Sequence, residues 1–118
     1  MTDDESNVEG PGHEEEGIVE ATTGEVIRVR TPRGNEFLGV VESRLGFGKM
    51  YIICTDKKMR ICRVPGKYRR KIWVREGDVV LVEPWQFEGD KKGDIIYKYR
   101  KAQVDWLRRR GLLKELQG

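Results

Sequence analysis

The stretch from Phe37 to Val64, FLGVVESRLGFGKMYIICTDKKMRICRV, decides the fold. It consists of short apolar runs, each closed by turn residues. Phe37 to Ser43 reads as a first strand. Leu45, Gly46, Phe47 and Gly48 form a glycine-rich turn in which at least one residue is expected at positive φ. Lys49 to Thr55, rich in Ile, Tyr and Cys, is a second strand. Asp56, Lys57 and Lys58 turn tightly, and Met59 to Val64 returns as a third. Pro65 and Gly66 end it.

Downstream the pattern continues. Lys67 to Val74 is too basic for a buried strand, and its first half reads as a short helical turn. Glu76, Gly77 and Asp78 turn the chain into Val79 to Glu83, a near-continuous apolar run suited to a central strand, which Pro84 ends or bulges. Gly89 to Gly93 is a polar loop. A fifth strand, Asp94 to Arg100, sets Ile95, Tyr97 and Tyr99 against Ile96, Lys98 and Arg100. The period then changes: Ala102 and Trp106 lie four apart, Val104 and Leu107 three apart, as on a helix. Arg108, Arg109 and Arg110 suit its negative end, and Gly111 suits the position just past it. Trp106 is read as a staple packing this helix onto the strands. Trp85 and Phe87 are read as loop packing. These elements predict an all-β fold, a five-stranded OB-fold Greek-key barrel with a short helical turn after strand three and a C-terminal α-helix.

Upstream, residues 1–20 carry eight acids and no Lys or Arg, with too few large apolar side chains to offset chain entropy. They are expected to be a disordered acidic arm. Residues 21–33 turn basic, with Arg28, Arg30 and Arg33. They read as an arm leading into the body, in which Val26, Ile27 and Val29 could form a short extended piece. The barrel is expected over 34–100, with a C-terminal helix and tail over 101–118.

The net charge of +3 conceals this division. Residues 21–118 hold 23 Lys/Arg against 12 Asp/Glu, a net charge of +11. Such a body attracts polyanions, nucleic acid above all. Cys54 and Cys62 with the single His13 cannot assemble a tetrahedral zinc site, so no metal or cofactor is expected and both thiols are read as free and buried. No apolar run approaches the ~20 residues that span a bilayer. No membrane contact is expected, and the setting is read as intracellular. No paired carboxylates, Ser/His/Asp set or phosphate-cradling loop is present, so an enzyme is not expected.

The functional signal lies in Arg60 to Arg75, RICRVPGKYRRKIWVR. Cations neutralise phosphates, and an interleaved aromatic face accepts an unstacked base. Lys67, Arg69, Arg70 and Lys71 repel one another at a cost that a polyanion relieves. Arg60 and Arg63 belong to the same stretch. Arg44, Lys49 and Tyr51 flank the glycine-rich turn and would lie near the strand-three cations. Trp73, between Ile72 and Val74, suits either the core or the binding face, and Tyr68 is equally open. Phe47 either stacks a base or plugs the barrel end. Lys98, Arg100 and the Arg108–Arg110 run add basic surface.

Five segments in order carry a resemblance: Gly34 to Glu42, Leu45 to Met50, Arg60 to Val74, Gly77 to Val82 and Gly93 to Tyr99. Together they resemble the translation initiation factor 1A family in its archaeal branch, over roughly Gly34 to Leu113. The stretch RRKIWV, ending at Val74, is its most specific part. The resemblance implies an OB-fold in the decoding A site of the small ribosomal subunit, contacting ribosomal RNA. With other initiation factors it would promote subunit dissociation and stabilise initiator tRNA binding, as a cytoplasmic monomer. Arg60, Lys67, Arg70, Lys71 and Trp73 are then the expected ribosomal RNA contacts. Eukaryotic members carry a basic N-terminal tail and a long acidic C-terminal tail. This chain begins acidic and stops soon after its helix, so tail-dependent scanning is not carried over. The rival reading is a general single-stranded RNA binder or RNA chaperone of cold-shock type, which predicts several exposed aromatics on strands two and three. A second rival is a protein adaptor acting through the acidic arm.

Overall fold

The structure, a computed structural model, describes residues 17–20 and 26–116, the first four by backbone alone. Seven strands and one helix follow in order: β1 (Gly17–Glu20), β2 (Val26–Val29), β3 (Phe37–Gly46), β4 (Lys49–Cys54), β5 (Met59–Arg63), β6 (Val79–Pro84), β7 (Lys92–Lys98) and α1 (Lys101–Arg109). Strands β3 to β7 close into a barrel in the order β3-β4-β5-β7-β6, with β6 returning to β3. Every pairing in the barrel is antiparallel except β5 with β7. This is the five-stranded OB-fold, with a single turn of 3-10 helix (Gly66–Tyr68) between its third and fourth strands.

The apolar run of β6 explains how two cores share one strand. Val80 and Val82 point into the barrel with Val41, Met50, Ile52, Cys54, Cys62 and Ile95. Val79 and Leu81 point the other way, onto Val29, Leu38, Tyr99, Trp106, Leu107 and Leu113. A strand buried on both faces has no polar alternation to show. Both thiols are free, and burial pushes Cys62 up to about 12. β3 carries two register shifts, between Val41 and Ser43 and between Arg44 and Gly46, which bend it enough to pair with both β4 and β6.

The helix ends as its sequence predicts. Gly111, at φ 76°, donates its N–H to Arg108 O at 3.0 Å, and Leu112 N–H donates to Leu107 O at 3.0 Å. Trp106 is buried in the second core, the stapling role read from its spacing.

Two expectations for the N-terminal segment need correction. β1 pairs antiparallel with β2, so Gly17–Glu20 is a strand and not part of a disordered arm. Ile18 and Val19 supply the β-branched residues such a hairpin needs. Nor is 26–31 an arm. Ile27, Val29 and Thr31 are buried, Tyr99 Oη donates to Arg30 O, and Gln103 Nε2 donates to Arg28 O at 2.7 Å. The alternation of Val26 to Val29 puts Ile27 and Val29 inward, and these contacts tie the segment to the body. The disorder expected over residues 1–16 lies outside the described residues. Among the described residues no helix is long and apolar enough to cross a membrane.

Candidate nucleic-acid interface

The turn between β3 and β4 takes three successive residues through positive φ: Gly46 at 92°, Phe47 at 52° and Gly48 at 74°. Glycine tolerates this freely, whereas the central phenylalanine does so at a cost of order 1–3 kcal/mol. The result is a ring projecting wholly into solvent, 103% exposed. Phe47 therefore does not plug the barrel end.

Facing this turn is the loop after β5. Tyr68 N–H donates to Pro65 O, Arg69 N–H to Gly66 O, and Lys71 and Ile72 N–H both to Tyr68 O. The short helical turn presents Lys67, Arg69, Arg70 and Lys71 outward, all exposed. Beyond it, Ile72 and Val74 pack against the barrel core while Trp73 between them is 76% exposed. Lys98 Nζ donates to Trp73 O at 2.7 Å and fixes the loop's backbone. The local alternation resolves the two readings of Trp73. Its neighbours take the core, and it takes the surface.

Turn and loop enclose a groove of about 640 Å³ lined by Arg44, Phe47, Lys49, Arg63, Arg69 and Trp73, floored by Met50, Val64, Ile72 and Val74. Arg44, Lys49 and Arg69 have no acidic partner among the described residues. Arg63 approaches Asp94 at 3.4 Å and lies over the Trp85 ring at 5.2 Å, with its side chain 56% exposed. On the other side of the loop, Lys71 lines a second hollow with Arg30, Tyr68, Tyr97, Lys98 and Lys101. The basic loop is thus a ridge between two cationic hollows. Lys67, over the Tyr68 ring at 5.2 Å, and Arg70 lie outside both hollows, exposed on the same loop.

Two of the expected site residues fall elsewhere. Arg60 is only 2% exposed. Its Nη1 and Nη2 donate to Asp56 at 3.0 and 2.8 Å, its Nε donates to Gly89 O, and its guanidinium lies 4.9 Å from the Phe37 ring centroid. A side chain so enclosed has no surface to offer a ligand, which corrects its assignment as an RNA contact. Tyr51 is half-buried on β4 opposite Ser43 and Ile61 and does not line the groove. Sequence leaves Phe47 open between two roles, although an aromatic held between two glycines is a signal for exposure. Phe87, expected to pack within its loop, has its ring 79% exposed instead.

An apolar floor, rim cations of which three have no acidic partner among the described residues, and two projecting aromatic rings can receive phosphates and unstacked bases together. Among the described residues no cluster of His, Cys, Asp or Glu could hold a metal.

Residues 5–117 match the family model described as translation initiation factor 1A / IF-1. Translation initiation factor 1A of Pyrococcus abyssi is 54% identical over 91 residues, covering 77% of this chain and 80% of that protein. Its counterpart in Methanothermobacter thermautotrophicus is 51% identical over 92 residues, 78% of this chain and 93% of that protein. Among solved structures, the solution structure of translation initiation factor IF-1 from the Wolbachia endosymbiont of Brugia malayi shares 34% identity. It covers 58% of this chain and 82% of that one, with a TM-score of 0.47.

Proposed function

The chain belongs to the translation initiation factor 1A family and takes part in translation initiation; from that premise we propose that it binds ribosomal RNA of the small subunit near the A site. There, in the cytoplasm, it promotes subunit dissociation and stabilises initiator tRNA binding, in company with other initiation factors. The observation that carries this reading is the groove between the β3–β4 turn and the loop after β5, where Arg44, Lys49 and Arg69, without acidic partners among the described residues, stand beside Phe47 and Trp73. Unpaired cations gain more from phosphate than paired ones, because no internal ion pair must first be broken. Lys67, Arg70 and Lys71 extend the contact along the ridge.

The exposed aromatics sit on a turn and a loop, not along β4 and β5, whose Tyr51 is half-buried. A flat stacking platform for any single strand is therefore missing, and a folded RNA surface fits better. Reversing Arg70 and Lys71 to Glu tests the reading. Small-subunit association, followed by sedimentation at two salt concentrations, is expected to vanish while the circular dichroism spectrum stays the same. Retained association in the double variant would sink it. Equal affinity of the native chain for random RNA oligomers and for small subunits would favour the general RNA-binding alternative.

A further inference from the structure

The hollow on the other side of the basic loop opens to about 750 Å³, and five cations line it: Arg30, Lys71, Lys98, Arg100 and Lys101. Two of them already meet acids, Arg30 with Glu36 and Lys98 with Asp78, each at 3.4 Å. With both acids counted, a net charge of +3 remains among the described residues. Lys71 and Lys101 meet no acid among those residues. Arg100 and Lys101 open α1, whose first turn carries no acid, so the positive end of the helix dipole adds to their charge. Like charges gathered in this way repel, and an anion that enters relieves them. The rings on the wall are already engaged. Tyr97 and Tyr99 meet edge to face at 4.8 Å, Tyr99 Oη donates to Arg30 O, Gln103 Nε2 donates to Tyr97 Oη, and Lys67 lies over Tyr68. Charge beside engaged rings suits carboxylates better than unstacked bases.

The chain itself brings carboxylates to the edge of this hollow. β1 begins at Gly17, which pairs with Val29, and Val29 directly precedes Arg30 on the hollow's wall. The three residues before Gly17 are Glu14, Glu15 and Glu16, and residues 1–16 together hold seven acids and no Lys or Arg. At the reach of an extended chain, those three glutamates lie within about 10 Å of the entry to β1. A group tethered so close acts at an effective concentration in the millimolar range, enough for weak exposed ion pairs to form.

We propose that the acidic segment 1–16 docks in this hollow of its own chain through Glu14, Glu15 and Glu16, and competes there with RNA. The docking is independent of the ribosomal reading, whereas the competition rests on it. A large RNA surface displaces weak pairs and a short RNA does so poorly, which sharpens the choice of partner. The full native chain is treated with a carbodiimide, which joins a carboxylate to an amine in contact with it, and the adducts are mapped by mass spectrometry. Adducts of Glu14, Glu15 or Glu16 with Lys71 or Lys101 are expected at low salt and fade at about 1 M salt, where exposed pairs are screened. The Lys58–Asp90 pair, at 2.7 Å, is the internal control. Adducts of the segment confined to other amines, or none while Lys58 and Asp90 react, overturn the docking. Competition is read with the triple variant Glu14→Gln, Glu15→Gln, Glu16→Gln, set against Asp3→Asn, Asp4→Asn, Glu5→Gln, which changes the net charge equally. Affinity for a short RNA of random sequence is expected to rise roughly fivefold in the first triple and less in the second. Equal gains, or no gain in the first, overturn the competition. Failure of the native chain and both variants to bind RNA overturns the RNA reading, and the adduct map still decides the docking.

Discussion

Two side chains show how environment assigns roles to residues of one type. Trp73 and Trp106 are both large and apolar, yet Trp106 is 8% exposed in the core and Trp73 76% exposed at the groove. Removing Trp73 therefore leaves the core intact. Trp73→Ala is expected to weaken small-subunit binding by about 1–3 kcal/mol, the value of one stacked base, with the thermal midpoint unmoved. A shift confined to the midpoint would return Trp73 to a packing role. Arg60 differs from the surface arginines for the opposite reason, since its guanidinium is enclosed and bonded to Asp56 and Gly89. Burial by itself would raise the Asp56 carboxyl, but the Arg60 and Lys58 hydrogen bonds and charges outweigh it and hold the group below its ordinary value. Such a carboxylate contributes stability above its unfolded value, near 4, and loses it as pH falls through the folded value. The denaturation midpoint is expected to drop on acidification below about pH 4, with a shallower drop in Asp56→Asn. Identical profiles would show that the pair contributes nothing to acid stability.

At the scale of elements, the barrel closes because β3 can bend and because β4 can approach it closely. Gly39 stands where β4 leaves no room for a side chain. A Cβ there would lie 2.5 Å from Ile52 Cγ2 and 3.1 Å from Ile53 O. Overpacking of this kind typically costs about 1–3 kcal/mol. Gly39→Ala is expected to reduce stability to denaturant by that amount without changing the slope of the transition, and a native midpoint would show that the strands can part freely. The five barrel strands are legible in the sequence because their apolar runs end in strong turn residues. The pairing of β1 with β2 is not, because a four-residue strand amid acids resembles a tail until its partner is known. The start of β7 at Lys92, earlier than its apolar run, follows from pairing: Lys92, Gly93 and Asp94 lie opposite Ile61, Cys62 and Arg63.

Over the whole molecule, cations differ in whether acids already hold them: Lys58 and Arg63 meet Asp90 and Asp94, whereas Arg44, Lys49 and Arg69 meet no acid among the described residues. Each groove or ridge cation that meets phosphate contributes roughly 0.7–0.9 to the salt slope of binding. Arg69→Gln and Lys71→Gln are each expected to lower the slope by about that much, whereas Lys58→Gln, at the far end and paired with Asp90, leaves it unchanged. Equal effects at both ends would mean a diffuse attraction without a defined interface. The amino-acid order by itself determined the five strands, the helix and its glycine stop, and the basic loop, because these depend on residues close together in the chain. Tertiary structure alone decided which cations stand without acidic partners among the described residues. It enclosed Arg60 between Gly89 O and the Phe37 ring, joined residues 26–31 to the second core and held Phe87 outward, because burial depends on neighbours distant in sequence.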